Sequence, residues 1–415
     1  MSEAVLDTNL LNPQLVVENA GPPYELFANW RSHDPVHWNP PTPTYTAEDI
    51  PGWFMKEGFW VLTRYDDVFH VSRTPALFSS YAKGPIIWDM EEQELETQRA
   101  GMMGMDPPQH TQFKRLVLGP LMGKSLQAFE PEIARAATEI IDDISMAGHC
   151  EFVFDVASKL PVYTFCVMMG IPEEDRETIF TLGNQAADQE NRAQQDQDPF
   201  PALAMHAARL AEQKREQPDD SMLSRYVNGE LDGERLTIEQ ICMFFVTIAI
   251  AGHETTRNTT VHFLRLMREY PDQCELLMSD LDKHLPNAIE EVLRFAPPVM
   301  NFKRTALEDT EVGGQAVNAG DKLCLSYPAA NRDPSMFEAP DVFDITRENA
   351  RKHLSFGTGV HVCLGAQLAR LQLKLLLLQI YTRIPDYRLV GPPVQLNNLM
   401  FNAIMRMPIE FTPES

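Results

Sequence analysis

Apolar positions along the chain change their spacing twice. From about 106 to 300 they recur every three and four residues, the period of a helix packed on one face. That repeat breaks at Gly170-Ile-Pro172, Gln217-Pro218 and Tyr270-Pro271, where glycine or proline ends a helix. The pattern predicts a helical middle. Within it Thr237 and Gln240 form a capping box that opens a long helix through ICMFFVTIAIAG to about Tyr270. Residues 183–200, GNQAADQENRAQQDQDPF, almost lack large apolar side chains and predict a mobile connection between two helices. Ahead of the helical region lies NPPTPTYTAEDIPGWF (39–54), then GFWVLTRYDDVFHV, whose alternation around Phe59 and Val61 predicts a strand followed by a short helix. Behind it, TEVGGQAV and KLCLSY predict short strands between turns over 301–350. Leu364, Leu368, Leu371, Leu375 and Leu378 then predict a final long helix with those leucines in the core. There is no internal repeat.

Composition changes this picture only by exclusion. A chain of 415 residues with 44% hydrophobic and 23% charged positions is ordinary for a globular protein, so disorder and fibrous repeats drop out. A net charge of −24 repels phosphate backbones and anionic lipid, which argues against nucleic acid and membrane partners. The longest apolar run, 241–252, is too short to span a bilayer, and the first residues carry neither a basic nor an apolar leader, so a cytoplasmic protein is expected. Six scattered cysteines without a CxxC pair speak against a disulfide framework or a four-thiolate metal site.

One of those cysteines stands out. SFGTGVHVCLGAQLARLQ (355–372) delivers Cys363 to a helix N-terminus, where the helix dipole and free N–H groups favour a thiolate. Gly357, Gly359 and Gly365 let the backbone approach whatever the sulfur binds. An inert buried thiol is the ordinary state of a lone cysteine, but not of one set among glycines beside His361. A second unusual stretch is AGHETT (251–256), where Ala251 and Gly252 thin an apolar helix at a helix cost of about 1 kcal/mol for the glycine, leaving room for something flat.

The run Phe356-Gly357-Thr358-Gly359-Val360-His361-Val362-Cys363-Leu364-Gly365 resembles the haem-ligand loop of the cytochrome P-450 superfamily, specifically its soluble bacterial members. The resemblance extends from about residue 20 to 410. It implies a mainly α fold with a small β region, a triangular helical domain around a buried haem b, formed as one domain over 1–415 with 1–20 loosely ordered. Cys363 would then be the axial thiolate of the iron, a ligand that favours O–O cleavage. Glu254 and Thr255 would be the acid–alcohol pair of oxygen activation. Glu291, Arg294 and Arg347 would be structural, through the E-x-x-R helix motif in EEVLR and the later arginine. Phe356, Gly357, Gly365, Ala251, Gly252 and Thr255 would face the haem. His110, Arg304 and His361 would contact its propionates, together with Lys114, one turn after His110 in DPPQHTQFKRLV, where the family usually has arginine.

The resemblance implies a monooxygenase using O2. Neither GPLMGKS nor the GTG of 357–359 has the spacing of a nucleotide fingerprint, so electrons must come from outside, from a small ferredoxin and its reductase. The ferredoxin would dock where Lys114, Arg115, Arg370 and Lys374 give local positive charge, on what is expected to be a monomer. The late segment RTALEDTEVGGQAV to DITR is most similar to members acting on terpenoids, alkanes and steroid or branched-lipid side chains. Candidate pocket residues are Trp88, Met90, Phe245, Ile248, Val299, Met300, Met400 and Phe401, each of which could equally be core. A peroxide-driven hydroxylase of the same fold and a non-catalytic haem-thiolate sensor or carrier are the alternatives, and Glu254 with Thr255 favours oxygen activation over both.

Overall fold

The computed structural model describes residues 9–12, 14–41, 56–187, 198–231, 233–396 and 398–414. The chain forms two compact units, each assembled from separate stretches: Met1–Thr111, Glu290–Cys363 and Gln395–Ala403 in the first, Gln112–Ile289, Leu364–Val394 and Ile404–Ser415 in the second.

The first unit is built on a five-stranded sheet in the order Val36–Asn39, Phe59–Leu62, Lys322–Ser326, Asn301–Ala306, Phe78–Ser79. Lys322–Ser326 runs parallel to Phe59–Leu62, with Leu323 opposite Trp60, and antiparallel to Asn301–Ala306, with Leu323 opposite Arg304. Leu323, Cys324 and Leu325 are wholly buried, as expected of a central strand covered on both faces. The strand expected around Phe59 and the short helix after it are present, as Phe59–Leu62 and Tyr65–Arg73. TEVGGQAV is a hairpin, Thr310–Val312 against Gln315–Val317, turned by Gly313 and Gly314 at φ 58° and 88°, a two-residue loop that glycine makes at no steric cost. Of the 39–54 stretch, residues 42–54 lie outside the described residues; of 1–20, residues 1–8 and 13 do, and Gln14–Glu18 is a short helix.

The second unit is helical around Ile238–Glu269, a helix of 32 residues. Its start is the expected capping box: Thr237 Oγ1 accepts from Gln240 N at 3.2 Å and Gln240 Oε1 accepts from Thr237 N at 3.0 Å. Lys159–Met169 and Pro199–Glu216 pack against it. Two expectations need correction. The connection predicted over 183–200 is shorter, because 183–187 complete the helix Glu173–Ala187 and 199–200 begin the helix Pro199–Glu216, capped by Asp198; residues 188–197 lie outside the described residues. The final helix, Ala366–Arg383, buries Leu373, Leu376, Leu377, Ile380 and Tyr381, whereas the predicted stripe of Leu364, Leu368, Leu371, Leu375 and Leu378 is only half-buried. Leucine occurs on every side of that helix, so spacing alone cannot choose the core face. Among the described residues no helix is long and apolar enough to cross a membrane.

Candidate active site: a cysteine loop and an open helix face

In the first unit the loop that carries Cys363 is folded by its own backbone: Gly357 N donates to Leu354 O and Cys363 N to Phe356 O, each at 2.8 Å. Gly359, at φ 73°, passes so close to Ser72 that an added Cβ would clash with the Ser72 carbonyl oxygen, so only glycine fits. Gly365 N-caps the helix Ala366–Arg383. The result separates Cys363 from the other five cysteines. Cys363 is exposed, while burial pushes the thiols of Cys150, Cys166 and Cys324 up to about 12 and raises those of Cys242 and Cys274.

Beside this loop the His361 ring lies 4.2 Å from that of buried His110, and His361 Nε2 is 3.2 Å from Ser80 Oγ. Asp106 accepts from Ser80 N at 2.8 Å and from the Ser79 hydroxyl, which fixes the entry to the helix Gln109–Leu118. Arg304 is buried on its strand, and its guanidinium donates to Lys303 O at 2.7 Å without an ion-pair partner among the described residues. Burial lowers its pKa, with Tyr327 and Asp106 only partly compensating. A buried guanidinium without a paired carboxylate suits an anionic ligand. On the helix Gln109–Leu118, Lys114 is half-buried and Arg115 exposed, consistent with only Lys114 following His110 along one face.

In the second unit the helix Ile238–Glu269 presents one open face. Ala251 and Gly252 are exposed, and a Cβ added to Gly252 would meet nothing within 4 Å. Ile248 and Thr255 are half-buried on the same face, three and four residues away from this pair. Thr255 Oγ1 donates to Ala251 O at 2.6 Å, which leaves the hydroxyl oxygen to accept. Glu254 differs from its neighbour: it is buried, and its Oε1 accepts from Arg257 Nη2 at 2.5 Å and Asn258 Nδ2 at 2.7 Å. Arg257 is wholly buried too, and among the described residues its Nε and Nη1, like Glu254 Oε2, have no hydrogen-bond partner.

Glu291, Arg294 and Arg347 are brought together in the first unit. Arg294 grips Glu291 through Nε at 2.7 Å and Nη2 at 2.8 Å, and Arg347 Nε reaches Glu291 Oε1 at 3.2 Å. The remaining guanidinium donors of Arg294 and Arg347 satisfy carbonyls of Asn331, Glu338, Ala339, Pro340 and Val342, so the group is a buried fastener for the 331–347 segment. Among the pocket candidates, Val299 and Phe401 form a β-bridge and Met300 N donates to Met400 O at 2.7 Å, which brings those four residues together. Trp88 is also nearly buried and Met90 half-buried, within the same unit. Phe245 is a correction: it has no exposed surface and its ring meets that of Phe165 at 5.0 Å, edge on, so it is core. Sequence reasoning missed Arg257, three residues after Glu254 and readable as a helix pair, and Lys303, for which no signal existed beyond its place next to Arg304.

With a single exposed cysteine on a glycine loop, a buried arginine that pairs with no carboxylate among the described residues and a helix thinned at Ala251-Gly252, comparison with known proteins is decisive. The profile described as Cytochrome P450 matches residues 173–383. The chain belongs to the cytochrome P450 family. This cytochrome P450 is 33% identical over 400 residues to a steroid C26-monooxygenase of Rhodococcus jostii, covering 95% of this chain and 83% of the relative. It is also 33% identical over 399 residues to a methyl-branched lipid omega-hydroxylase of Mycobacterium tuberculosis, covering 93% and 90%. A Mycobacterium marinum cytochrome P450 solved in complex with pseudoionone matches with a TM-score of 0.86 at 34% identity, covering 98% and 97%. The protein is therefore a cytochrome P450 monooxygenase, and haem b is the cofactor its family implies.

Proposed function

We propose that this monooxygenase hydroxylates an apolar substrate, a terpenoid, an alkane or a steroid or branched-lipid side chain, with electrons from a small ferredoxin, as a cytoplasmic monomer. The observation that carries the reading is the open face of the helix Ile238–Glu269, where the apolar Ile248 and Ala251 stand beside the Thr255 hydroxyl. The names of the relatives support an apolar substrate: a steroid, a methyl-branched lipid and pseudoionone.

The residues present fit haem. Cys363 is the only exposed thiol and would ligate the iron; Arg304, His110, His361 and Lys114 would hold the propionates; Phe356, Gly357 and Gly365 on the loop, and Ala251, Gly252 and Thr255 on the helix, would lie against the ring. When bound, haem supplies O2 activation, helped by the thiolate's electron donation. Thr255 accepts and positions a proton at its Oγ1 while donating to Ala251 O. Glu254, fixed by Arg257 and Asn258, supplies an acidic group one residue away. Arg115 and Lys374 are exposed and Lys114 and Arg370 half-buried, all in the second unit, and they offer an acidic ferredoxin a positive patch on an otherwise acidic protein.

Titrating the purified haem protein with terpenoids, alkanes, fatty acids, steroids and small polar aromatics, followed by the low- to high-spin shift, tests the substrate class. A response confined to polar aromatics would overturn it. Reconstitution with a bacterial ferredoxin and its reductase should give product at a rate that falls as salt rises from 0.05 to 0.5 M, on the order of tenfold for a few charge pairs. A rate indifferent to salt would remove the charged docking face.

A further inference from the structure

One buried cation plays no part in that chemistry. Lys303 lies on the strand Asn301–Ala306 next to Arg304, and alternation along a strand sends the two side chains to opposite faces of the sheet. Its Nζ has no exposed surface and donates to Lys83 O at 2.7 Å and Trp88 O at 3.3 Å, while its own backbone N donates to Pro85 O at 2.6 Å. Residues 80–88 between these contacts have no helix or strand of their own. A second buried lysine, Lys322 on the adjacent strand, ion-pairs with Asp89 and donates to Glu57 O at 3.1 Å, and Asp89 in turn accepts from the backbone of Lys56 and Glu57. The irregular segment is thus pinned from beneath at Lys83, Pro85, Trp88 and Asp89.

We propose that Lys303 is a positioning residue for substrate selection: by holding the carbonyls of Lys83 and Trp88 it fixes the segment that carries Trp88 and Met90. The proposal rests on the reading that Trp88 and Met90 line the substrate pocket. It also predicts a pH dependence. The charged groups around Lys303 are Lys322, Asp89, Lys83 and Glu57, and burial foremost, with the like charge of Lys322, lowers its pKa to about 7. Opening the segment returns the amine to water, where it keeps its proton up to about pH 10.4. Between those values the opened form binds more protons than the closed form, so raising the pH favours closure. Below about pH 7 both forms are protonated and the balance stops changing.

Hydrogen exchange of the 83–90 amides in the haem-loaded wild-type protein, corrected for intrinsic rates, should show protection rising from pH 7 to 9 by up to about tenfold per unit. Protection independent of pH over that range would overturn the proposal, and this measurement needs no variant. Lys303→Met should lose the pH dependence and exchange faster in 83–90 at unchanged haem content. Its affinity for testosterone or pseudoionone, whichever shifts the wild-type spin state, should fall at least about fivefold, with products spread over more positions. Altered exchange with unaltered affinity and products would overturn the selective role. If neither probe nor any apolar ligand shifts the wild-type spin state, the substrate reading fails, while exchange still decides whether Lys303 holds the segment.

Discussion

Replacing Arg257 by methionine tests how Glu254 is held inside the helix. The Arg257 and Glu254 side chains are 0% and 2% exposed and meet at 2.5 Å. Removing one member of a buried ion pair leaves the other charge uncompensated and typically costs about 3–5 kcal/mol, whereas replacing both by apolar groups of similar volume is often close to neutral. Asn258 softens the loss, since its Nδ2 still donates to Glu254 Oε1 at 2.7 Å while its Oδ1 accepts from Ile404 N at 3.3 Å. Arg257→Met should therefore lose about 3 kcal/mol in urea unfolding at matched haem content, and Glu254→Met a similar amount. The double variant Arg257→Met/Glu254→Met should lose at least about 2 kcal/mol less than the sum, a coupling typical of charges in direct contact. Additive losses would mean that the two groups do not depend on each other, and the account of Glu254 as a carboxylate held by Arg257 would fall.

Cys363→Ser should abolish the thiolate-type spectrum of the reduced, carbon monoxide-bound protein, because oxygen is a much poorer donor to iron, whereas Cys150→Ser, Cys166→Ser and Cys274→Ser should keep it. Thr255→Ala should bind substrate normally yet release most reducing equivalents as peroxide, read as product formed per electron consumed. Lys114→Ala should release haem to apomyoglobin several-fold faster, by loss of a charge-assisted bond to a propionate. Removing haem and treating the protein with iodoacetamide at pH 8 should label Cys363 first: an ordinary exposed thiol is about a quarter ionised there, and one raised to about 12, such as Cys166, about one part in ten thousand. Mass spectrometry of the labelled peptides reads the order, and equal labelling of Cys166 would contradict it.

Much of the fold was legible because its strongest elements satisfy several local rules at once. The helix Ile238–Glu269 has a capping box at one end and a Tyr-Pro break at the other, and both ends fall where those signals put them. The hairpin at Gly313-Gly314 is equally local, since two positive φ angles call for two glycines. What could not be read were choices made by neighbours distant in sequence. The leucines of Ala366–Arg383 surround the helix, so its buried stripe is selected by what packs on it and not by period. The same holds for sheet order: no local feature of KLCLSY says that it runs parallel to Phe59–Leu62, more than 250 residues earlier in the chain.

The site divides along the same line. Cys363 was legible because a reactive cysteine needs glycines, a helix start and exposure, and two of those three are written within ten residues. Phe245 stayed open between pocket and core because an aromatic near a functional helix face looks the same in sequence whether it points at a ligand or at Phe165. Arg257 and Lys303 show the harder case. A charged residue in a mostly apolar setting reads as surface until the fold shows what surrounds it, and burial is tolerated only when partners compensate the charge. For Arg257 the compensating carboxylate is three residues away and can be read as a helix pair. For Lys303 the partners are carbonyl oxygens of Lys83 and Trp88, more than 200 residues back, and backbone acceptors leave no trace in side-chain chemistry. Functional residues held by distant backbone are therefore the class that this sequence conceals, and Lys303 belongs to it for the same reason that it can fix an irregular segment: it bonds to the chain's path and not to any particular side chain.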